Sequence, residues 1–592
     1  MLTFGGNLHA AETNSIPAFP GAQGAGMYTV GGRFGSVYRV TNLHADGPGS
    51  LADAVSEPNR IIVFTVSGII DLAGGKKAKG GKILLEEPNI TIAGQTAPGE
   101  GICLKGGALQ IEAGEIIVRY LRSRRGFVAV GDQGDAVDIK PKKTEVDAKG
   151  EGETAEGFKK RKIKKEQRGK VIKEPERIQN IILDHVSASW ATDENFTVTH
   201  PNFTTAQWCI AAEGLDYTNP KQTPPNHSEG SLWGVSWPDG RSTMDHMLYA
   251  HNRLRNPRTT GGHMPPAVLE FRNSVVYDCS EHYSHTGGEA VFLNWLDNYY
   301  KYGPNTPADL RGNMFEFVKS PESRMFASGN FIEGFPDRSQ DNWLAVTVAK
   351  GLSESERQAI RVNEPFSTFP AAKRTAQQAY EEVLASSGAI LPARDAVDLR
   401  IVNEVCHGAG KIIQKETDLP PDQRWPDYRS LPAPLDSDAD GIPDFWEDQF
   451  GLNRNDPTDA MRISAGGYAN IEHYINNTDP TGGTTPIVYI AGAVSRARIA
   501  GNGAGVLRVT RTGNANEALT VNYTVGGDAV SGKEFTALSG SVTIPAGAAF
   551  ANILITPTTE ARDNKTATVS LATGKTGYHV GCPSAALVVI RK

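Results

Sequence analysis

The sequence predicts an all-β chain: a parallel β-helix, then a connector, then a small β-sandwich. Two observations carry this. Short apolar runs recur from Ile61 to about Phe331, many of them spaced at roughly 20–30 residues, the range of solenoid repeats. From Ile487 the texture changes to alternating strands with regularly spaced turn signals, as in a sandwich. At 592 residues the chain exceeds one ordinary core, but a solenoid grows lengthwise and holds a large share in one piece.

The recurring runs include IIVFTVSGIIDL (61–72), NITIAG (89–94), EIIVRYLRS (115–123), NIILDHVSASW (180–190), STMDHMLYAHN (242–252) and VLEFRNSVVYD (268–278). Several alternate apolar with polar residues, with Asn and Gly at the joins. A two-sheet sandwich gives similar strands. The repeated apolar-x-apolar-x-Asn/His rung favours coils that bury an inward face on their neighbours. The predicted solenoid domain is 16–410. Its interruption at 141–177 is dense in mixed charge and almost without apolar periodicity, as an extended insertion should be. There Lys159, Lys160, Arg161, Lys162, Lys164 and Lys165 are either a solvated loop or an arm over a polyanion. Residues 353–408 carry helical spacing, and short helices lying on or capping the solenoid are expected. A connector spans 411–485 and the sandwich 486–592.

Lys+Arg of 60 against Asp+Glu of 67 leaves a net charge of −7, which argues against general nucleic-acid binding. A local basic groove for an anionic ligand is compatible with that average. No run of about 18 apolar residues occurs, so no membrane span is expected. Residues 1–15 lack the basic and apolar parts of a full leader, and their HAAET ending suits a leader remnant; a secreted, periplasmic or extracellular monomer is expected. The five cysteines, Cys103, Cys209, Cys279, Cys406 and Cys582, are scattered without metal spacing and read as buried free thiols.

The sharpest short motif runs from Asp436 to Glu447 and fits D-x-D-x-D-G-x₅-E. At this spacing Asp436, Asp438, Asp440, Asp444 and Glu447 aim at one hard cation. The Ile442 carbonyl adds a ligand and Gly441 allows the sharp bend. The loop resembles the EF-hand-like calcium loops of secreted bacterial enzymes, and a structural Ca2+ that stiffens the connector is expected; a plain acidic linker is the alternative. Beyond it, LRVTRTGNANEALTVNYTVGGDA and the strands that follow resemble the Calx-β family, often an accessory module. Glu560 and Asp563 sit where that family has an acidic turn.

Arg255-Asn256-Pro257-Arg258-Thr259-Thr260-Gly261-Gly262, after Asn180-Ile181-Ile182-Leu183-Asp184-His185, resembles the active-site signature of the pectate lyase family. The resemblance covers about half the chain. It implies a right-handed parallel β-helix that cleaves an acidic polysaccharide, polygalacturonate foremost, by β-elimination with Ca2+ and an arginine. Residue by residue, it makes Arg255 the base and Pro257 the residue that fixes the turn. Thr260 stands where the family has a second arginine, which leaves Arg258 to pair with the substrate carboxylate. Asp135 matches a calcium-binding aspartate, with Gln133 where a second acid is usual and Asp132 nearby to compensate. Asp193 and Glu194 match the next acidic position, and Asp184 and His185 support the site. Glu229 stands where a substrate-gripping lysine is usual. Arg241 or the charged insertion is then left to contact substrate, with His227 in the same groove.

The chemistry asks for these types. Removing the proton α to a uronate carboxyl requires charge withdrawal from that carboxylate and a base close to C5. Calcium takes oxygen ligands, so clustered acids beside cations are needed. An arginine base carries an ordinary pKa of about 12.5–13.8 and so implies an alkaline optimum. Three other readings stay open: a lyase for another uronate-rich polymer, a glycoside hydrolase, and a non-catalytic glycan-binding protein. The hydrolase needs two carboxylates flanking the scissile bond. His246 and His251 read as turn-stacking or groove residues; Trp190, Trp233 and Trp237 read equally as groove or core.

Overall fold

The computed structural model describes residues 16–74, 81–129, 132–147, 171–217, 226–262, 265–318, 320–349, 352–574 and 577–592. Three parallel sheets wrap a single core. The first has ten strands, from Ser36–Val40 through Gln179–Asp184 to Arg324–Ser328; the second has nine, from Gly68–Asp71 to Phe331–Ile332; the third has nine, from Lys82–Leu85 to Val346–Val348. Each coil visits the sheets in turn. One runs Gln179–Asp184, Ser187–Ser189, Phe196–Val198, and the next Asn202–Gln207, Ile210–Ala212, Leu232–Gly234. Neighbouring coils pair in register, Ile181 with Ile116 on one side and Thr204 on the other. The chain is a parallel β-helix.

Strand alternation sorts the side chains. Ile116, Val118, Ile181, Leu183, Met244, Leu269, Phe271 and Trp295 point into the shared core. The residues between them face outward and are covered. On the first sheet the cover is the N-terminal segment: Ala18, Phe19 and Ala22 pack on Ile117 and Ile182. The Gly26 and Gly32 amides bond Thr205 and Thr91 hydroxyls at 2.8 and 3.0 Å. A Cβ at Gly26 would collide with the backbone of Ile181 and Thr205, so the glycine permits this close approach.

On the second sheet the cover is helical. Helices Ala376–Ser386 and Ala396–His407 lay Val383, Val397, Ile401 and Val405 on Ile210, Leu248 and Val275. Beneath the second helix, fully buried Arg124 meets Asp395 at 2.7 Å and Asp398 at 2.6 Å. Asp395 also caps that helix, accepting from the Asp398 amide at 2.9 Å. His251 donates toward Asp278 at 2.8 Å and lies 3.4 Å from Glu404, whose neighbour Arg400 binds Glu213. Burial lowers the His251 pKa, but hydrogen bonds to Asp278 and Glu404 outweigh it and push it up to about 9. A raised folded-state pKa stabilises fully below the ordinary histidine value of about 6.5 and is lost as pH rises through about 9. Between pH 7 and 10 the thermal midpoint of the wild type should therefore fall further than that of His251→Gln; parallel curves would refute the coupling.

Corners are stacked. At the first-to-second sheet corner, the rings of Tyr120, His185, Trp208 and His246 pile up with centroids 4.6, 6.0 and 3.8 Å apart. An asparagine ladder crosses the later coils, Asn298 Nδ2 to Asn330 Oδ1 at 2.9 Å and Asn330 Nδ2 to Asn342 Oδ1 at 3.0 Å.

Residues 143–147 and 171–175 pair antiparallel, which makes the ends of the charged interruption a two-stranded arm. Its Lys159–Lys165 cluster lies outside the described residues. The connector helices Asp444–Phe450 and Asn470–Asn476 pack Trp446, Ile471 and Tyr474 on Ile61, Val63 and Ala93 of the first coils. The C-terminal part is two facing sheets around Val509, Val521, Phe535, Ile553 and Val588. Cys103, Cys209, Cys279 and Cys582 are buried, but Cys406 is exposed, because it points outward near the end of Ala396–His407. Among the described residues no helix is long and apolar enough to cross a membrane.

Candidate active site

The second-to-third sheet corner brings the chemistry together. Four successive coils turn there through Asp135, Asp193–Glu194, Glu229 and Arg255. Their backbones ladder directly. The Asn195 amide donates to Glu229 O at 3.0 Å, Gly230 to Leu254 O at 3.0 Å, and Ala136 to Glu194 O at 3.2 Å. Side chains far apart in sequence thus stand one strand spacing, about 4.8 Å, from one another.

Asp135, Asp193 and Glu194 each offer an oxygen within 4.8 Å of the others, and a second group places oxygens of Asp193 and Glu229 and a ring nitrogen of His227 within the same distance. His227 Nδ1 is 3.0 Å from Asp193 and its Nε2 3.5 Å from Glu229. Arg255 Nη1 pairs with both Glu194 and Glu229. Its backbone sits at φ 62, left-handed like other corner residues of these coils such as Trp190, Glu213 and His251. Burial and then the charge of Glu194 push Asp135 well up; burial and then Asp193 push Glu194 up. Burial and Glu194 raise Glu229 to about 9. In Asp193 burial is outweighed by the His227 hydrogen bond, which holds it below the usual range. An all-oxygen set of crowded carboxylates fits a hard divalent cation.

Arg258 begins the third-sheet strand Arg258–Thr260. No hydrogen bond or ion pair holds its guanidinium among the described residues, and its Nε is buried without a partner. Burial and the nearby charge of Arg255 lower its pKa. A Cβ at Gly287 would lie 3.2 Å from Arg258 Nε and 3.4 Å from Nη2. Gly287→Ala should therefore displace this guanidinium and raise KM several-fold with little change in kcat, which steady-state kinetics would show. In-register His285, nearly buried, is pushed down to about 3 by burial and then by His282, so it stays neutral beside Arg258.

Other sequence candidates fall elsewhere. Asp184 and His185 stand at the opposite corner of the coil. Asp184 pairs with Arg119 at 2.8 Å, and His185 belongs to the ring stack. They hold the coils together and do not touch the acid cluster. Arg241 starts a first-sheet strand, where its guanidinium bonds the carbonyls of Asp239 and Gly240. Asp132 is committed to Arg125 at 2.8 and 3.0 Å, so it does not stand in for Gln133. Thr260 bonds Glu289 at 2.7 Å. Trp190 and Trp233 are core residues at 0% exposure. Glu229, which stands where the family resemblance has a lysine, is a member of the acid cluster; its one signal in the sequence is its place between Asp193 and Arg255.

In the connector loop, Asp436, Asp438 and Asp440 converge within 4.8 Å. Asp436 Oδ1, both Asp438 oxygens, Asp440 Oδ2 and both Glu447 oxygens are buried without hydrogen-bond partners, a donor set that fits a cation. Asp444 is the exception. Its two oxygens accept from the Ser437 amide and hydroxyl, both at 2.8 Å, so its carboxylate faces the loop backbone. In the sandwich, Asp563 accepts from the Lys592 amide and does not meet Glu560 in any acidic cluster among the described residues.

No family model matches the chain. It is 33% identical over 479 residues to a probable pectate lyase C of Emericella nidulans, covering 80% of this chain and 95% of that one. The chain belongs to the pectate lyase family. Another member, a probable pectate lyase C of Aspergillus terreus, is 32% identical over 483 residues, covering 79% and 96% of the two chains. A solved apo Calx CBD1 domain aligns with 18% of this chain and 96% of its own, at 19% identity and a TM-score of 0.16. As a pectate lyase family member the protein is an enzyme of the polysaccharide-lyase class, and the acid and arginine corner is its candidate active site.

Proposed function

We propose that the protein cleaves polygalacturonate or pectate by calcium-assisted β-elimination. The observation that carries this reading is the convergence of Asp135, Asp193, Glu194, Glu229 and Arg255 at one corner of four adjacent coils, beside Arg258, whose guanidinium has no partner among the described residues. Asp135, Asp193 and Glu194 hold the calcium, with Glu229 beside them. When bound, the ion withdraws charge from the substrate carboxylate and stabilises the developing enolate. Arg258 pairs with a substrate carboxylate in the fork geometry that arginine favours. Arg255 takes the proton from C5 in its neutral guanidine form, becoming guanidinium, as the glycosidic oxygen leaves C4 with the electron pair. Glu194 and Glu229 hold its guanidinium at the turn, and neutral His285 adds no competing charge. Such an arginine base gives an alkaline optimum. His227 fixes Asp193 within the cluster.

The Asp436–Glu447 loop takes a second calcium, of structural role. The C-terminal sandwich is a Calx-β-like accessory module, and the enzyme is a secreted monomer.

The test is ultraviolet absorbance of polygalacturonate digests at alkaline pH, with and without calcium. A rising absorbance reports the unsaturated uronide that only elimination makes. Reducing ends without it would make the enzyme a hydrolase. Absorbance on a different uronate polymer alone would correct the substrate and keep the mechanism.

A further inference from the structure

The acidic loop of the connector is more crowded than its motif explains. Asp459, beyond the end of the D-x-D-x-D-G-x₅-E run, joins Asp440 and Glu447 with one oxygen of each within 4.8 Å of the others, all three buried. Glu447 is 0% exposed and neither of its oxygens has a hydrogen-bond partner. Asp459 is 1% exposed. Its Oδ2 accepts from the Asn453 amide at 2.9 Å, while Oδ1 is unpartnered. Asp440 is divided in the same way, Oδ1 on the Ile442 amide at 2.8 Å and Oδ2 unpartnered. Asp440 and Asp459 thus each have one anchored oxygen and one buried oxygen without a hydrogen-bond partner. Among the described residues no lysine or arginine pairs with Asp440, Glu447 or Asp459; Arg39 lies 3.4 Å from Asp436 alone. Buried carboxylates in contact need a counter-charge. Asp459 is itself fixed, its carbonyl taking the Asn470 side chain at 2.9 Å and its amide the Asp456 carbonyl at 3.2 Å.

We propose that Asp459 is a ligand, from outside the loop, of the divalent cation that the loop holds, and that this ion bolts the connector to the start of the solenoid. The inference rests on the calcium reading of the loop above and adds to it a ligand and a role. Asp440 is the shared member of the two acid triads, Asp436–Asp438–Asp440 and Asp440–Glu447–Asp459, so one ion draws both together. Five carboxylates supply an all-oxygen donor set larger than magnesium favours and suited to calcium. The ion ties three pieces of chain. Gly441 packs against Val37 and Val63 of the first two first-sheet strands, Ile442 and Trp446 share a cluster with Ile61 and Ile487, and Asp459 precedes the helix Asn470–Asn476 that lies on the same face.

The experiment uses the full chain carrying Asp193→Asn and Glu194→Gln as parent, to remove the catalytic-corner site. Calcium is titrated by calorimetry, and the thermal midpoint is read in calcium and in chelator. The parent should bind calcium and melt higher with it. Asp438→Asn, in the loop, should weaken binding at least tenfold. Asp459→Asn should do the same, and should melt in chelator no lower than the parent, because it removes a repelling buried charge. If Asp438→Asn weakens binding and Asp459→Asn leaves it within threefold, the loop reading stands and the role of Asp459 falls. If Asp459→Asn lowers the midpoint equally in calcium and in chelator, Asp459 only braces the Asn453 turn. If the parent binds no calcium, the loop reading fails and this inference with it. Asp459→Ser, which keeps a short acceptor for the Asn453 amide, repeats the comparison should the asparagine variant misfold.

Discussion

Arg255→Lys should lower kcat/KM for elimination by roughly 10²–10⁴-fold, the range for loss of a general base, while the protein stays folded. Lysine is the informative replacement. Glu194 and Glu229 both pair with the Arg255 side chain. An alanine would leave those two buried acids facing each other and confuse chemistry with stability. Lysine keeps the positive charge on that side, but its shorter, compact head cannot occupy both the carboxylate-held position and the reach toward C5. Arg258→Lys should behave differently, raising KM more than it lowers kcat, because its role is to grip a carboxylate. Initial rates of ultraviolet absorbance over a substrate series separate the two. If Arg255→Lys keeps more than about a tenth of wild-type kcat, Arg255 is not the base.

Arg124→Met should cost about 3–5 kcal/mol of stability, the usual penalty for stranding a buried charge. Arg124 is at 0% exposure between Asp395 and Asp398, with the Tyr428 hydroxyl donating to the same Asp395. Methionine fills much of the volume and removes the only feature at issue, the cation. Asp398 is already pushed up by burial, and without Arg124 it has less reason to ionise. Asp395 keeps Arg122 at 3.3 Å, so the loss should appear as a lower urea midpoint that partly recovers at acid pH, where the stranded Asp398 is protonated. A drop under about 1 kcal/mol would mean that the helix Ala396–His407 is held by its apolar face alone.

The inward face of the solenoid was legible because it follows a strict local rule. Runs such as Leu269-Glu270-Phe271-Arg272 alternate, with Leu269 and Phe271 in the core, and alternation is all a coil needs to choose an inside. The loop acids were legible for a similar reason, since a cation site built within a dozen or so residues leaves its spacing in the chain. Which corner a residue occupies was not. Asp184 and Glu194 lie on one coil, yet only Glu194 reaches the acid cluster, and the difference is how many residues each turn takes. Arg241 stands away from the acid cluster on the same ground, at the start of a first-sheet strand. Glu229 showed in the sequence only as a departure from the usual lysine, because its partner Arg255 comes from the next coil. Asp459 was invisible in the motif, since it enters from beyond the last motif position. Nothing local marks the glycines at 24, 26, 31 and 32, whose missing side chains are required by close packing on Thr205, Thr243, Thr91 and the Arg60 backbone.

A solenoid of stacked coils is normally a zipper with two free ends, each open to fraying and to proteases. In this protein the chain that leaves the last coil returns along the outside and fastens the first ones. Ser430 bonds the Ser67 amide at 3.1 Å, the Ile475 carbonyl takes Gln95 at 3.2 Å, Arg33 binds Glu472 at 2.9 Å, and Arg496 pairs with Glu100. Peeling the first coil requires that this returning segment leave first, and the segment is itself held along the second sheet by its helices. Unravelling from the N-terminal end is thereby converted from a series of small openings into one large one, which is the architecture of slow unfolding rather than of high equilibrium stability.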